Sequence, residues 1–128
     1  MQALLDTHAL LWWVTNDPQL SKTVRDIITD SNNTLYVSVA SSWEIIVKAK
    51  TGKLPLPEPA TQFIQSCLTV NRFESMAIEI AHVLQIDQLP DHHKDPFDRI
   101  LIAQAQVGNM PILTIDRLIA QYPVSTIW

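Results

Sequence analysis

The chain has few of the residues that build several common kinds of site. Its 128 residues include one cysteine, Cys67, and two glycines, Gly52 and Gly108. One cysteine can form neither an intramolecular disulfide nor a cysteine-based zinc cluster. Two isolated glycines exclude the G-x-G-x-x-G dinucleotide loop and the G-x-x-x-x-G-K-[ST] phosphate loop. Disulfide scaffolds and the common nucleotide-binding loops are therefore excluded.

Long apolar runs are also absent. No segment approaches the roughly 20 apolar residues of a membrane-spanning helix, and the N-terminus begins on a short strand-like segment without the features of a secretory signal. The content of 47% hydrophobic and 17% charged residues is typical of a globular protein. We therefore expect a single cytoplasmic domain over residues 1–128, with no membrane association.

The net charge restricts the possible functions less strongly than these absences do. A net charge of −4 is unusual for a nucleic-acid-binding protein, which normally neutralises phosphates with lysine and arginine. Basic residues are nevertheless clustered at Lys48, Lys50 and Lys53. Acidic residues gathered around a bound cation would also make the formal charge misleading. Nucleic-acid binding is therefore disfavoured but not excluded.

Strand-like and helix-like segments alternate along the chain. The clearest helix begins at Asp95 and Pro96, a favoured N-cap followed by proline at the first helical position, and Gly108 is expected just past its end. The alternation predicts an α/β fold with a parallel sheet and helices on both faces. Five strands are predicted, at residues 2–5, 34–39, 72–78, 112–115 and 124–128.

Four carboxylates occupy equivalent places in this pattern. Asp6 and Asp116 follow the first and fourth strands. Glu44 and Asp98 are expected in the first turn of the helices that follow the second and third strands. In a parallel sheet all these positions share the carboxyl edge, where such folds bind ligands. Asp95, three residues before Asp98, adds a fifth carboxylate on the same helical face.

Capping explains the same residues without a shared site. Asp6, Asp95 and Asp116 stand where a helix N-cap is expected. Ser41 and Glu44 match the S-x-x-E capping box. Each residue taken singly fits this structural role as well as a functional one, and the spacing does not decide between them.

Carboxylates that converge require a cation, because they repel one another and would otherwise have to take up protons. A ligand set of oxygens favours a hard ion, Mg²⁺ or Mn²⁺. Such sites commonly activate water and stabilise charge on a transferring phosphoryl group. The residues therefore suggest metal-dependent phosphodiester or phosphate chemistry.

Other polar residues near these positions have two interpretations. Thr7 and Thr114 either hydrogen-bond the ligand carboxylates or bond the local backbone at strand ends. Arg99 either contacts a nucleic-acid phosphate or, as we expect, pairs with the N-cap aspartate of its own helix. His92 and His93 fall in a polar loop, and we expect both to be surface residues.

Four segments carry recognisable motifs. The stretch D-P-F-D-R at residues 95–99, with A-Q-A at 103–105, is specific, whereas T-x-D at 114–116 would be weak alone. Together they resemble the PIN domain family, and within it the VapC-type toxins of toxin–antitoxin pairs. The resemblance extends over nearly the whole chain. The segments are residues 4–12, 38–45, 93–105 and 114–116.

This resemblance implies a Mg²⁺- or Mn²⁺-dependent endoribonuclease with three α/β/α layers around a five-stranded parallel sheet of order 3-2-1-4-5. Asp6 and Asp98 would be the main metal ligands, with Asp116 a further or water-mediated one. Glu44 would hold a second ion or orient the attacking water. The implied cut leaves a 5′-phosphate and a 3′-hydroxyl. The expected partners are an RNA substrate, a cognate antitoxin whose tail covers the acidic groove, and a second copy of the chain.

Two other protein classes of similar architecture fail on the sequence. A receiver domain needs an acidic pair after its first strand, but Asp6 is followed by Thr7. A haloacid-dehalogenase-like phosphatase needs D-x-D, where this chain has Asp-Thr-His at residues 6–8. The remaining alternative is a catalytically inactive PIN-fold module that binds a protein or RNA partner. The presence of all four carboxylates of the acidic quartet, Asp6, Glu44, Asp98 and Asp116, favours the enzyme over this module.

Overall fold

The computed structural model describes all 128 residues and shows five strands and six α-helices. A short 3-10 helix, Ile119–Gln121, precedes the last strand. The strands are β1 Gln2–Leu5, β2 Thr34–Ser38, β3 Glu74–Met76, β4 Ile112–Leu113 and β5 Thr126–Ile127. The helices are α1 Thr7–Val14, α2 Lys22–Thr29, α3 Val39–Lys50, α4 Ala60–Asn71, α5 Ile80–Ile86 and α6 Pro96–Gly108.

All five strands pair in parallel, in the order β3-β2-β1-β4-β5, which confirms the expected fold. The order reverses at β1, the first strand of the chain. Ligands of open α/β sheets bind outside the carboxyl ends of the strands at such a reversal. Leu5 at the end of β1 is in register with Leu113 at the end of β4. The residues that follow these two strands therefore emerge side by side.

Alternating side chains of β1 supply both faces of the core. Ala3 and Leu5 pack into one apolar cluster and Leu4 into another, and all three are fully buried. This is the period-2 alternation of a strand that is covered on both faces. None of the helices combines the length and the apolar character needed to cross a bilayer.

Two helix ends differ from the prediction. Helix α3 begins at Val39, capped by the Ser38 side chain, so Glu44 lies in its second turn and forms no capping box with Ser41. The expected box was wrong because the hydroxyl at the end of β2 starts the helix earlier. Helix α6 retains Gly108 as its last residue, and Asn109 adopts the left-handed conformation that ends it. Asparagine tolerates that conformation better than most residues.

Arg99 holds the segment between α5 and α6 in place. Its guanidinium donates to the carbonyl oxygens of Pro90 at 3.0 Å and His93 at 3.2 Å, and to the hydroxyl of Tyr122 at 3.3 Å. The expected pair between Arg99 and Asp95 is not formed. Unpaired loop carbonyls outcompete the N-cap carboxylate, which is already engaged by the amides of its own helix.

Replacing Arg99 with alanine should destabilise the protein by about 1–3 kcal/mol, because it leaves loop carbonyls without a donor. Chemical denaturation followed by circular dichroism measures the change. Arg117→Ala is the matched control, since Arg117 is exposed and makes no side-chain hydrogen bond. Equal stability of the two variants would contradict the bracing role of Arg99.

Candidate functional site

Asp6 and Thr114 meet at the carboxyl ends of β1 and β4. The Oδ1 atom of Asp6 caps α1 by accepting from the amide of Ala9 at 2.7 Å, while Oδ2 accepts the hydroxyl hydrogen of Thr114. Asp6 is 4% exposed, and this burial raises the pKa of its carboxyl above the ordinary value, an effect the Thr114 hydrogen bond opposes. Both interpretations of Thr114 apply, because its hydroxyl donates to Asp6 and also accepts from the backbone amide of Asp116 at 3.0 Å.

Glu44 reaches the same region from the second turn of α3. Its carboxylate accepts from the hydroxyl of Thr7 at 2.7 Å and from Nζ of Lys48 at 2.5 Å. Ser41, on the same face of the helix, lies 3.0 Å from Thr7 Oγ1. Glu44 is 3% exposed. A buried carboxylate with both a hydroxyl and an ammonium partner stays fixed in position.

The first turn of α6 carries two further carboxylates. Asp95 caps the helix by accepting from the amides of Phe97 and Asp98 at 2.8 and 3.3 Å. Partial burial raises the pKa of Asp98 to about 7, and the negative charges of Asp95, Glu44 and Asp6 add to the shift. Asp98 is therefore close enough to these carboxylates to experience their repulsion.

His93 is the member of the site that the sequence did not predict. Its Nε2 atom lies 2.9 Å from Oδ2 of Asp98 and 3.4 Å from Oδ2 of Asp116, and only 13% of its side chain is exposed. The assignment of His93 to the surface was therefore wrong. The ring turns inward because its backbone N–H donates to Tyr122 and its carbonyl accepts from Arg99. The only local signal was its position two residues before an N-cap.

Asp116 divides its two carboxylate oxygens between two tasks. One accepts from the amide of Leu118 at 2.8 Å, and the other faces His93. The Asp116 charge also contributes to the raised pKa of Asp6, after burial as the main cause. Charge repulsion thus connects the four predicted carboxylates, and Asp6, Glu44 and Asp116 each also accept a hydrogen bond from their own surroundings.

The remaining predicted contacts lie around this centre or turn away from it. Thr7 bonds the carboxylate of Glu44, as one of its two interpretations predicted. Arg99 is committed to the loop, so its guanidinium does not extend into the cluster. Lys48 is bonded to Glu44, whereas Lys50 and Lys53 are exposed.

The donor set fits a hard divalent cation. Potential ligand atoms of His93, Asp98 and Asp116 lie within 4.8 Å of one another, and the charges of Asp6 and Glu44 act on the same place. The negative charge exceeds what Lys48, the lysine bonded within the cluster, compensates. The buried Nε2 atom of His93 makes no hydrogen bond, so this centre has an unfilled partner position. Such a site can polarise a phosphate and activate water.

Comparison with known proteins agrees with this geometry. A family model for the PIN domain matches residues 3–124. The chain is 33% identical over 58 residues to Ribonuclease VapC16 of Mycobacterium tuberculosis, an alignment that spans 45% of this chain and 41% of that protein. The chain thus matches less than half the length of this relative.

Two solved structures share the fold at low sequence identity. VapBC2 from Rickettsia felis, bound to a DNA fragment from their promoter, has a TM-score of 0.76 and 14% identity over 100% of this chain and 99% of that chain. DNA-bound VapBC from Salmonella typhimurium has a TM-score of 0.74 and 16% identity over 99% and 97% of the two chains. The family model, the strand order and the acidic site agree: the chain belongs to the PIN domain family.

Proposed function

We propose that the chain is a metal-dependent endoribonuclease of the VapC type, the toxin component of a toxin–antitoxin pair. The observation that carries this proposal is the convergence of Asp6, Glu44, Asp98 and Asp116 at the point where the strand order reverses. Buried carboxylates repel one another in the free protein. A divalent cation bound between the carboxylates would neutralise their charges, and each carboxylate would then be attracted to the ion.

The similar proteins support this choice of reaction and partner. The relative from Mycobacterium tuberculosis is a ribonuclease, and the two solved neighbours are VapBC complexes. The proposed partners are therefore an RNA substrate and a cognate antitoxin, and a second copy of this chain forms a homodimer. The acidic surface must be covered or neutralised before an RNA backbone approaches it.

The proposed work of each residue follows from its contacts. Asp6 and Asp98 would hold a Mg²⁺ or Mn²⁺ ion with Asp116, and this ion would supply charge neutralisation and water activation. Thr114 orients Asp6, and Thr7 orients Glu44, through the hydrogen bonds described above. Glu44 would hold a second ion or orient the attacking water. The hydrogen bond to Glu44 raises the pKa of Lys48, so a charged ammonium lies beside the Glu44 carboxylate.

Asp6→Asn should abolish RNA cleavage, because the amide keeps the cap and the fold but loses a ligand charge. We expect a rate at least about a hundredfold lower, typical for loss of a group that acts on the transition state. Purified wild-type and variant proteins are incubated with total RNA in Mg²⁺, in Mn²⁺ and in EDTA. Cleavage should require the metal and leave 5′-phosphate ends.

The chemistry of the ends distinguishes this enzyme from contaminating nucleases. A metal-independent ribonuclease that uses the 2′-hydroxyl leaves a 5′-hydroxyl end, which a ligation assay separates from a 5′-phosphate. Undiminished metal-dependent cleavage by Asp6→Asn would refute the site. Failure of a folded, Mg²⁺-loaded wild-type protein to cut would instead favour the inactive binding module.

Mg²⁺ should raise the melting temperature of the wild-type protein, because a ligand that binds only the folded state stabilises it. Asp98→Asn should melt higher than wild type in EDTA, by about 1 kcal/mol or more of stability, since it removes one of several mutually repelling charges. The same variant should respond much less to Mg²⁺. Differential scanning fluorimetry measures both effects.

Asp26→Asn is the control for this experiment. Asp26 is an exposed residue whose ion pair with Lys22 lies on the surface of α2, so the substitution should leave the Mg²⁺ response unchanged. An equal Mg²⁺ response in Asp98→Asn and wild type would contradict the proposed ligand role of Asp98.

Expression of the wild-type chain without its antitoxin should slow bacterial growth, whereas Asp98→Asn at equal protein level should not. The reason is that toxicity would arise from cleavage alone. Growth curves with immunoblots of both proteins measure this. Equal toxicity of the variant would show that the effect does not depend on the acidic site.

A further inference from the structure

We propose that Trp43 binds the substrate by stacking its indole ring on an unpaired RNA base next to the cleaved phosphate. The proposal rests on the proposed ribonuclease function and adds to it a residue that selects single-stranded RNA. The observation that carries it is an exposed tryptophan held directly beside two carboxylates of the site.

Trp43 and Phe97 each come directly before a carboxylate of the site. Trp43 precedes Glu44 in α3, and Phe97 precedes Asp98 in the first turn of α6. The centroids of their rings are 5.0 Å apart, so this aromatic pair connects the two helices. Neighbouring Cα atoms are about 3.8 Å apart, which places both aromatic residues at the rim of the acidic cluster. A nucleotide whose phosphate enters the cluster therefore brings an adjacent base close to Trp43.

The indole ring is exposed although it is held in place. Trp43 is 58% exposed, whereas Glu44 is 3% exposed. Successive side chains of a helix point about 100° apart, so the turn that buries the carboxylate directs the indole outward. The planes of the two rings meet at 84°, an edge-to-face contact that leaves at least one face of the indole uncovered. An uncovered aromatic face is a surface on which a base can stack.

Cations without partners lie near this ring. Lys50 lies two turns after Trp43 on the same face of α3, and Lys94 precedes the N-cap of α6. Both lysines are exposed, and neither forms an ion pair. Surfaces that bind single strands combine aromatic side chains that stack the bases with cations that contact the phosphates. The face of α3 that carries Trp43 has both components.

The lysine also argues against a second copy of the chain as the occupant of this face. Val39 and Val47, one turn before and one turn after Trp43, are partly exposed, and such an apolar stripe can pack against a protein. The cores of protein interfaces are depleted in lysine, however, and Lys50 continues the same stripe. A nucleotide matches this face better, because its base covers the indole while its phosphates approach the lysine.

The kinetic test removes either the ring or the base. On a short RNA that the wild-type protein cuts, Trp43→Leu should lower kcat/KM about tenfold or more, mainly through KM, because one stacking contact is lost. Trp43→Phe, which keeps a ring, should recover part of that loss. Abasic nucleotides placed one at a time beside the cut should identify one position where the wild-type protein loses a similar factor. At that position Trp43→Leu should show no further loss.

Val47→Ala is the matched control, since it removes exposed apolar surface from the same face of α3 without removing a ring. It should cut within about threefold of wild type. All of these variants should melt within a few degrees of wild type, as is usual for exposed positions. If the effects of Trp43→Leu and of the abasic nucleotide multiply, the ring does not contact that base, and the proposal is overturned.

Binding without cleavage provides a second readout. Fluorescence anisotropy of a fluorescein-labelled uridine decamer in Mg²⁺ compares the Asp6→Asn protein with Asp6→Asn/Trp43→Leu, because loss of the site should leave the probe intact. We expect the Kd for this single strand to rise about tenfold without the ring. The Kd for an RNA duplex of the same length should not change, since its bases are paired and stacked. Equal Kd values of the two proteins for the single strand would overturn the proposal.

The outcomes separate this proposal from the proposed function. Cleavage by Trp43→Leu at the wild-type rate, with Asp6→Asn inactive, would overturn the stacking role and leave the ribonuclease intact. Absence of cleavage by the wild-type protein, together with a Kd that depends on Trp43, would overturn the ribonuclease and support the stacking role. A wild-type dimer that dissociates in Trp43→Leu, measured by analytical ultracentrifugation, would identify a second copy as the occupant and overturn the proposal.

Discussion

Repulsion between carboxylates at the carboxyl edge of the sheet is the constraint on which the rest of this region depends. Asp6 and Asp98 are both sufficiently removed from water for burial to raise their pKa values, and each lies within the field of other acidic groups. The fold opposes this repulsion with fixed donors: a hydroxyl from Thr114 for Asp6, and a hydroxyl and an ammonium for Glu44. The hydroxyl groups hold the carboxylates in place without changing their charge, and the ammonium of Lys48 compensates only one of the negative charges. The site therefore retains a local destabilisation that the apolar clusters on both faces of the sheet offset, as is common at functional sites.

Asp6 and Asp116 serve both as caps of the backbone that follows them and as residues of the site, because each uses one carboxylate oxygen for the cap and the other for the site. In Asp6 one oxygen accepts from the first turn of α1 while the other faces Thr114. In Asp116 one oxygen accepts from Leu118 and the other faces His93. A carboxylate offers about four acceptor positions, so one oxygen can end a helix while the second remains for a ligand. The capping hydrogen bond fixes the carboxylate and thereby orients its second oxygen. The spacing in the sequence could not separate two roles that the structure combines.

Local signals predicted most of the fold, whereas the errors arose where distant residues compete. The strands, the Asp95 cap and the positions of Asp6 and Asp116 were predicted from apolar runs and turn chemistry near each residue. The order of the strands came from the resemblance to the PIN family and not from the pattern itself. The start of α3 was misplaced because Ser38 and Ser41 are equally plausible caps by sequence, and only the end of β2 decides between them. The contacts of Arg99 and the inward turn of His93 depend on Tyr122, which lies more than 20 residues away.

The D-P-F-D-R motif is specific because each of its polar positions has a separate geometric task. Asp95 caps α6 and donates its own amide hydrogen to the ring of His93. Asp98, one turn later, places its carboxylate in the acidic cluster. Arg99 points back along the loop and fixes the carbonyl of His93. Helix, ligand carboxylate and loop are therefore joined within little more than one helical turn. A shift of any one position would uncouple the loop from the cluster, because the backbone that carries His93 is held only from α6 and from Tyr122. The acidic quartet thus supplies the charge of the site, and this motif supplies its geometry.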